Sequence, residues 1–275
     1  MRCDLHIHTV VSDGYLNPGE ILEAAERLGL ERISITDHDT LGVYSVYGCD
    51  LVAEAASRGI ELVPGIELDS LFDDVEVHLL GYGLDPADPA MNQRLEEIRV
   101  RREARIREQL LQVNAALGPP FLREDDIFTP QRRTYMKPHI LRLLLARKRF
   151  ADYKAASAWF RDTVHASVQV PKFPVEAVIR WVIDAGGKAV LAHPGYYMLQ
   201  HGLALETILD RLVPAGLTGV ETEYRYRFTS PHFPDLDSER RMVDRIREIA
   251  LARGLEETRG SDAHSMKDLE DFNAQ

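Results

Sequence analysis

The sequence predicts an α/β fold, either a barrel or a doubly wound sheet, and three observations predict it. Apolar runs of strand length alternate with amphipathic helical stretches over most of the chain. One internal stretch, from about residue 89 to 165, breaks that alternation and reads as helix alone. The 275 residues, 45% hydrophobic and 28% charged, suffice for one large domain or one domain carrying an insert.

The elements follow in order. CDLHIHTV is a first strand. Asn17-Pro18-Gly19-Glu20 opens a helix, with Asn17 as N-cap, Pro18 at the first helical position and Glu20 as the capping-box acid. ILEAAERLGL continues it, with Gly29 near its end. RISITDH is the second strand, CDLVAEAASRG the second helix, IELVPGIEL the third strand and VEVHLLGYG the fourth. The helical stretch then runs throughout, including RLEEIRVRREARIREQLLQVNAAL and ILRLLLARKRF. Alternation resumes with helix PVEAVIRWVIDAGG, strand KAVLAH, helix ALETILDRLVPAG, strand TGVETEY, helix SERRMVDRIREIALARG and strand LEETRGSDAH. About seven strands result, mostly separated by helices, so residues 1–88 and 166–275 form the main domain and 89–165 a helical, basic insert.

Composition narrows the function. No stretch approaches the roughly 18 apolar residues needed to span a bilayer. The N-terminus carries no basic segment followed by an apolar run, so no secretory signal is expected. Cys3 and Cys49 lie in no CxxC and read as reduced thiols, which points to the cytoplasm. A net charge of −11 argues against duplex nucleic acid as a partner. The charge is uneven, however: Arg99 to Arg149 holds thirteen Lys and Arg against five acids, a net +8 that leaves −19 elsewhere. That segment reads either as solvated helix faces or as a surface that receives an anion.

Six of the ten histidines sit in or just after strands, accompanied by three carboxylates. His6 and His8 are two apart in the first strand and emerge on one face. Asp13 follows in VSDG, His38 ends the second strand in TDHD, and Glu67 ends the third in PGIE. His78 lies in the fourth strand, His193 ends KAVLAHPG, and Asp262 and His264 end the last strand in GSDAH. In a parallel barrel the C-terminal strand ends surround one mouth, so these nine side chains are predicted to converge there. Burying three carboxylates beside imidazoles without a cation is costly. Nitrogen and oxygen donors without thiolate suit Mn²⁺, Fe²⁺ or Zn²⁺, and nine ligands suffice for two or three ions.

DLHIHTVVSDG, ITDHDT, PGIE, His78, AHPG and GSDAH together resemble the PHP family, named for polymerase and histidinol phosphatase. They run in the family's order from Asp4 to His264, nearly the whole chain. The resemblance implies a distorted seven-stranded (β/α)7 barrel and a two- or three-metal phosphoesterase site. It implies that His6, His8, Glu67 and Asp262 hold one metal, that Asp13, His38 and His264 hold a second, and that Glu67, His78 and His193 hold a third. The insert is similar to that of the branch acting on nucleoside 3′,5′-bisphosphates and on short RNA from its 5′ end. Arg101, Arg102 and Arg105 match that branch's arginine-rich helix. Lys137-Pro138-His139-Ile140 is similar to its Arg-Thr-His-Phe stretch, with Lys137 in place of the arginine and His139 matching. Lysine keeps the charge but loses the bidentate fork. The chain stops 11 residues after His264, earlier than many relatives, so a C-terminal extension is expected to be missing.

The chemistry expected is hydrolysis of a phosphate ester, with a water held between two metals attacking phosphorus in line. Asp13, His193 and His264 are candidates for moving a proton. Arg101, Arg102, Arg105, Lys137 and His139 would clamp a second, non-reacting phosphate, and Ser12 either bonds phosphate or shapes a turn. The expected substrate is a small nucleotide or short RNA, with no membrane partner. Three rivals remain: a histidinol-phosphate phosphatase, an amidohydrolase, and a non-catalytic metal-dependent nucleotide module. Asp37 and Asp39 either orient ligands or cap a turn, and Asp39 and His232 read as structural rather than as ligands. Tyr196, Tyr197, Tyr224 and Tyr226 either stack on a base or pack the rim. Glu221 and Glu223 are predicted to face one side, and Trp159 and Trp181 to lie in the core.

Overall fold

The first helix forms as its sequence dictates. In α1 (Pro18–Leu28) the Asn17 side chain accepts from the Glu20 amide and the Glu20 side chain accepts from the Asn17 amide, with Pro18 in the first turn. Gly29 ends it at φ 65°, a left-handed conformation that costs glycine nothing. The helix buries Ile21, Leu22, Ala24 and Ala25 against Ile7 of β1 (Cys3–Ile7) and Ile33 and Ile35 of β2 (Arg32–Ile35). The structure, a computed structural model, describes residues 2–47, 50–118, 120–226 and 235–274; Cys49 and His232 lie outside these.

Further along the chain come α2 (Val43–Val46), α3 (Leu51–Ser57), β3 (Glu61–Phe72), β4 (Val75–Tyr82) and α4 (Pro89–Leu117). Next are α5 (Lys137–Ala146), α6 (Tyr153–Thr163), the two-residue β5 (Phe173–Pro174), α7 (Val175–Asp184) and β6 (Lys188–Leu191). The last described elements are α8 (Gly195–Gln200), α9 (Leu205–Ala215), β7 (Gly219–Glu223), α10 (Leu236–Leu251), β8 (Glu256–Arg259) and α11 (Met266–Asn273).

Seven strands hydrogen-bond in the order β1-β2-β3-β4-β6-β7-β8, while β5 pairs with β3 off this path. The sheet curls almost fully round: Ile7 bridges Ala263 in parallel, and the His8 amide donates to the Ala263 carbonyl at 2.9 Å. This is the distorted seven-stranded barrel with helices outside, not a doubly wound sheet.

The barrel is not all parallel as expected. β4 runs antiparallel to both β3 and β6. Asp73, at φ 53°, sits in a tight turn between β3 and β4, and so short a connection makes a hairpin, since a parallel crossover needs a dozen residues or more. The long β3 changes partner midway, pairing with β2 from Glu61 to Pro64 and with β4 from Gly65 to Phe72. Gly65 permits the close approach, because a Cβ there would stand 2.2 Å from Ser34 Oγ. The reversal sets His78 opposite Asp69, so the early half of β4 shares the mouth reached by the late half of β3.

The 29-residue α4 serves two apolar clusters. Met91 and Leu95 pack with Val178 and Val182 of α7, whereas Ile106, Leu110 and Val113 pack with Ile140, Leu141, Leu144 and Phe160. The stretch is not helical throughout as predicted. Gly118 ends α4 at φ 94°, and between there and α5 the described helical structure is a three-residue turn, Glu124–Asp126. Trp159 and Trp181 are half-buried at the margins of these clusters rather than inside them. Among the described residues, no helix is long and apolar enough to cross a membrane.

Candidate metal centre and active site

Three strand-end residues leave the extended region to aim inward: Asp39 (φ 47°), His193 (φ 28°) and Asp262 (φ 51°). Such backbone outliers cluster where surrounding structure over-determines them. They lie around the barrel mouth, where the nine predicted side chains meet.

Glu67 is the hub. Its Oε2 lies 3.2 Å from His6 Nε2, His8 Nε2 and His38 Nε2 alike. Its Oε1 lies 2.8 Å from His78 Nδ1 and 3.1 Å from His193 Nε2. Asp262 Oδ1 stands 3.0 Å from His8 Nε2 and 3.6 Å from His6 Nε2. Asp13 Oδ1 stands 3.1 Å from His264 Nε2. Spacings of this size are the edges of a polyhedron around a cation held at about 2.1 Å.

The donor atoms fit such ions in a second way. His6 Nε2, both nitrogens of His8, Asp13 Oδ1, Glu67 Oε2 and Asp262 Oδ1 are buried without a hydrogen-bond partner, a costly state unless a cation completes them. Two groups of four ligand atoms close enough to share an ion are His6–His8–Glu67–Asp262 and His8–Asp13–His38–His264; a third, of three, is His38–Glu67–His78. His8 turns Nε2 to Glu67 and Asp262, leaving Nδ1 a longer 3.9 Å from Asp13. His193 joins through Glu67 Oε1. A further group not foreseen from the sequence is Asp69–Glu76–His78.

Electrostatics reinforce the picture. Burial works to lower the His38 pKa, but Glu67, Asp69 and Asp13 outweigh it and hold the ring's pKa at about 9. Burial likewise opposes the His6 and His78 shifts, and Glu67 above all carries both well above the ordinary range. Against the same burial, neighbouring imidazoles hold Asp13, Glu67 and Asp262 below the usual carboxylate range. The same carboxylates that draw these shifts would balance the charge of a bound cation.

Around the ligands stand residues that aim them. Glu221, fully buried, meets His6 Nδ1 at 3.0 Å and accepts the His193 amide at 2.9 Å. Gly260 leaves room for this pair, since a Cβ there would lie 2.3 Å from His6 Cβ. The pairing register shifts between Glu221 and Glu223, and Glu223 instead meets Arg247 and Arg259, so the two acids do not face one side as predicted. Tyr224 donates to Asp262 at 2.8 Å, and the Tyr197 oxygen accepts the His78 amide at 2.7 Å. Tyr226 accepts the Gly195 amide at 3.0 Å, so these three buried tyrosines pack and hold the rim. Asp37 accepts from the Thr9 amide (2.7 Å), Thr9 Oγ1 (2.6 Å) and Ser12 Oγ (2.5 Å), pinning the loop that carries Asp13.

Several residues expected to grip phosphate are otherwise engaged. Ser12 is fully buried and its hydroxyl is taken by Asp37, the turn role. His139 is buried; its Nδ1 accepts the Met136 amide and its Nε2 faces the Ser12 carbonyl at 2.9 Å. Arg102 is buried between Asp39 and Asp69. Arg101 points elsewhere on α4, because consecutive helical residues lie about 100° apart; it lines a hollow with Glu96, Glu97 and Phe173. Arg105 donates to the Val168 carbonyl at 2.6 Å yet lines a cleft of about 560 Å³ with Lys137, Arg161 and Lys172. Of the three proton-transfer candidates, His264 has the most exposed side chain, at 25%, against 6% for Asp13 and 8% for His193.

The cleft adjoins the mouth. A cavity of about 520 Å³ over the ligands is lined by His38, Glu67, His78, His193, Asp262 and His264, and both spaces share Glu76. The cleft's Arg161 and Lys172 carried no signal in the sequence beyond their charge.

Comparison with known proteins agrees with this geometry. Residues 4–160 match the family model described as PHP domain. Over 229 residues the chain is 32% identical to a 3′,5′-nucleoside bisphosphate phosphatase of Chromobacterium violaceum, covering 79% of this chain and 75% of that protein. It is 30% identical over 203 residues to the 5′-3′ exoribonuclease Rnm of Salmonella typhimurium, covering 71% of this chain and 66%, just under two thirds, of that one. A solved structure from Bifidobacterium adolescentis, described as a metal-dependent phosphoesterase, has a TM-score of 0.76 at 26% identity, covering 100% of this chain and 96% of its own.

Proposed function

The chain belongs to the PHP family and is a metal-dependent phosphoesterase, and from that premise we propose that it removes the 3′-phosphate of nucleoside 3′,5′-bisphosphates. The products would be a nucleoside 5′-monophosphate and phosphate. The observation that carries this reading is the pair of adjoining spaces: a cluster of metal-ligating side chains and, across Glu76, a cleft lined by Arg105, Lys137, Arg161 and Lys172. A substrate with two phosphates fits two such sites, and a monoester uses only one.

His6, His8, Glu67 and Asp262 would hold one divalent ion, Asp13, His38 and His264 a second, and Glu67, His78 and His193 a third. When bound, such ions supply Lewis acidity toward phosphoryl oxygens and acidify a water as nucleophile. Glu221 keeps His6 turned to the cluster, Tyr224 keeps Asp262 there, and Asp37 keeps the Asp13 loop in place. The cations of the cleft would anchor the 5′-phosphate and so orient the reacting ester. The Salmonella relative's name favours a second substrate for the same chemistry, short 5′-phosphorylated RNA.

The test is phosphate release from 3′,5′-bisphosphoadenosine with Mn²⁺, Fe²⁺ or Zn²⁺ supplied in turn. Release of phosphate at the 3′ position, lost on chelation, is expected. Turnover of histidinol phosphate but not of the bisphosphate, or release of ammonia from an amide instead of phosphate, would overturn the reading.

A further inference from the structure

Arg102 reaches from the middle of α4 into the wall of the metal cluster. Its side chain is 9% exposed, and Nη2 donates both to Asp69 Oδ2 at 2.7 Å and to Asp39. Asp39 also accepts the Asp69 amide at 3.2 Å, closing a small network. The other oxygen of Asp69, Oδ1, is buried without a hydrogen-bond partner and stands 3.3 Å from His38 Nδ1. The far nitrogen of that ring, Nε2, faces Glu67 at 3.2 Å. A proton on Nδ1 directed at a carboxylate leaves Nε2 with its lone pair free for a cation. A carboxylate so deeply placed needs a balancing charge, and Arg102 supplies it.

We propose that Arg102 is a positioning residue for the metal cluster: it fixes Asp69, and Asp69 fixes the ring of His38. Arg102 thereby sets a metal ligand instead of gripping a substrate phosphate, whereas Arg105, further along the same helix, faces the cleft. Asp69 Oδ1 also stands 3.7 Å from His78 Nε2, in a group with Glu76 that could take a cation. It lies nearer His38 Nδ1, however, and the guanidinium on Oδ2 works against a cation on the same carboxylate, so Asp69 acts as orienter. This inference rests on reading His38 as a ligand in the proposed phosphoesterase site.

The experiment compares Arg102→Ala, Arg102→Lys and Asp69→Asn with the parent protein. Mn²⁺ affinity is measured by titrating chelator-stripped protein, and kcat and KM are measured on 3′,5′-bisphosphoadenosine and on p-nitrophenyl phosphate. Arg102→Ala and Asp69→Asn should each weaken Mn²⁺ binding roughly 10- to 100-fold. At fixed Mn²⁺, kcat should fall by a similar factor on both substrates while the ratio of their KM values stays constant. Arg102→Lys, which keeps the charge, should recover much of the affinity. Unchanged Mn²⁺ affinity in Arg102→Ala, or a rise in KM for the bisphosphate alone, would overturn the proposal. Should Arg102→Ala fail to fold, Asp69→Asn preserves side-chain volume and carries the same comparison. A parent protein that binds Mn²⁺ but releases phosphate from neither substrate would sink the proposed hydrolysis, and the titration would still decide the role of Arg102.

Discussion

Glu221 decides where His6 points. A neutral imidazole presents one lone pair, and a carboxylate against Nδ1 assigns it to Nε2, the atom facing Glu67 and Asp262. Glu221→Gln keeps the size and removes the charge, so divalent-metal affinity is expected to fall about 10- to 100-fold. Equilibrium dialysis against Mn²⁺ checks this; undiminished affinity would mean that His6 needs no orienter. The nine candidate ligands were legible in the sequence because nearly all lie in or just after a strand beside a short, distinctive motif, and the structure brings their side chains to one mouth. Of their orienters, Asp37 and Asp39 were open to that reading, but Glu221 and Asp69 were not. Glu221 was visible only as one of two alternating acids, and the register shift that separates it from Glu223 depends on pairing with β8. Asp69 lies two residues past Glu67, but its partner Arg102 is 33 residues further on, across a helix whose docking no local pattern specifies.

At the scale of elements, residues 133–142 clasp the loop that carries Asp13. The Arg133 amide donates to the Val11 carbonyl at 2.8 Å, His139 meets the Ser12 carbonyl, and Arg142 donates to the Asp13 carbonyl. His139 stays neutral: burial first, then the charges of Arg132 and Arg142, push its pKa down to about 3. An unfolded histidine titrates near 6.5, so unfolding takes up a proton at acid pH. Stability present above about pH 6.5 is therefore lost as pH falls toward 3, at up to ~1.4 kcal/mol per pH unit. Urea unfolding in chelator at pH 7 and pH 5 should show a drop about 2 kcal/mol larger in the parent than in His139→Gln; equal drops would place the proton elsewhere. Element boundaries with a local cause, such as the Asn17–Glu20 capping box, were legible. The antiparallel course of β4 was missed, although two strand-like runs separated by Asp73-Asp74 carry a hairpin signal.

Across the whole molecule, an acidic chain keeps cations where an anionic substrate would enter. Arg105, Lys137, Arg161 and Lys172 line the cleft against Asp69 and Glu76, although the net charge is −11. Lys172 is paired with Glu76, whereas Lys137 is exposed. Lys137→Ala combined with Arg161→Ala should raise KM for a nucleoside bisphosphate roughly tenfold, with a much smaller change for p-nitrophenyl phosphate. The parent's kcat/KM for the bisphosphate should also fall more steeply with salt than that of the double variant. Steady-state kinetics from low to physiological ionic strength check both, and identical salt dependence would remove the cleft from substrate capture. The charge count from Arg99 to Arg149 made a basic segment legible, but not which of its cations meet acids on folding.

The parallel bridge of Ile7 with Ala263, made by the His8 amide on the Ala263 carbonyl and the Ala263 amide on the His6 carbonyl, has a mechanical consequence. It is where the two ends of the sheet are sewn together, and the residues on either side of that seam, His6 and His8 on one and Asp262 and His264 on the other, belong to the same ligand groups. An ion held by both sides is a latch across the seam. Amide hydrogen exchange at His8 and Ala263 should therefore slow at least tenfold when the chelated protein is reloaded with divalent metal, while the amides of α6, which carries no candidate ligand, change little.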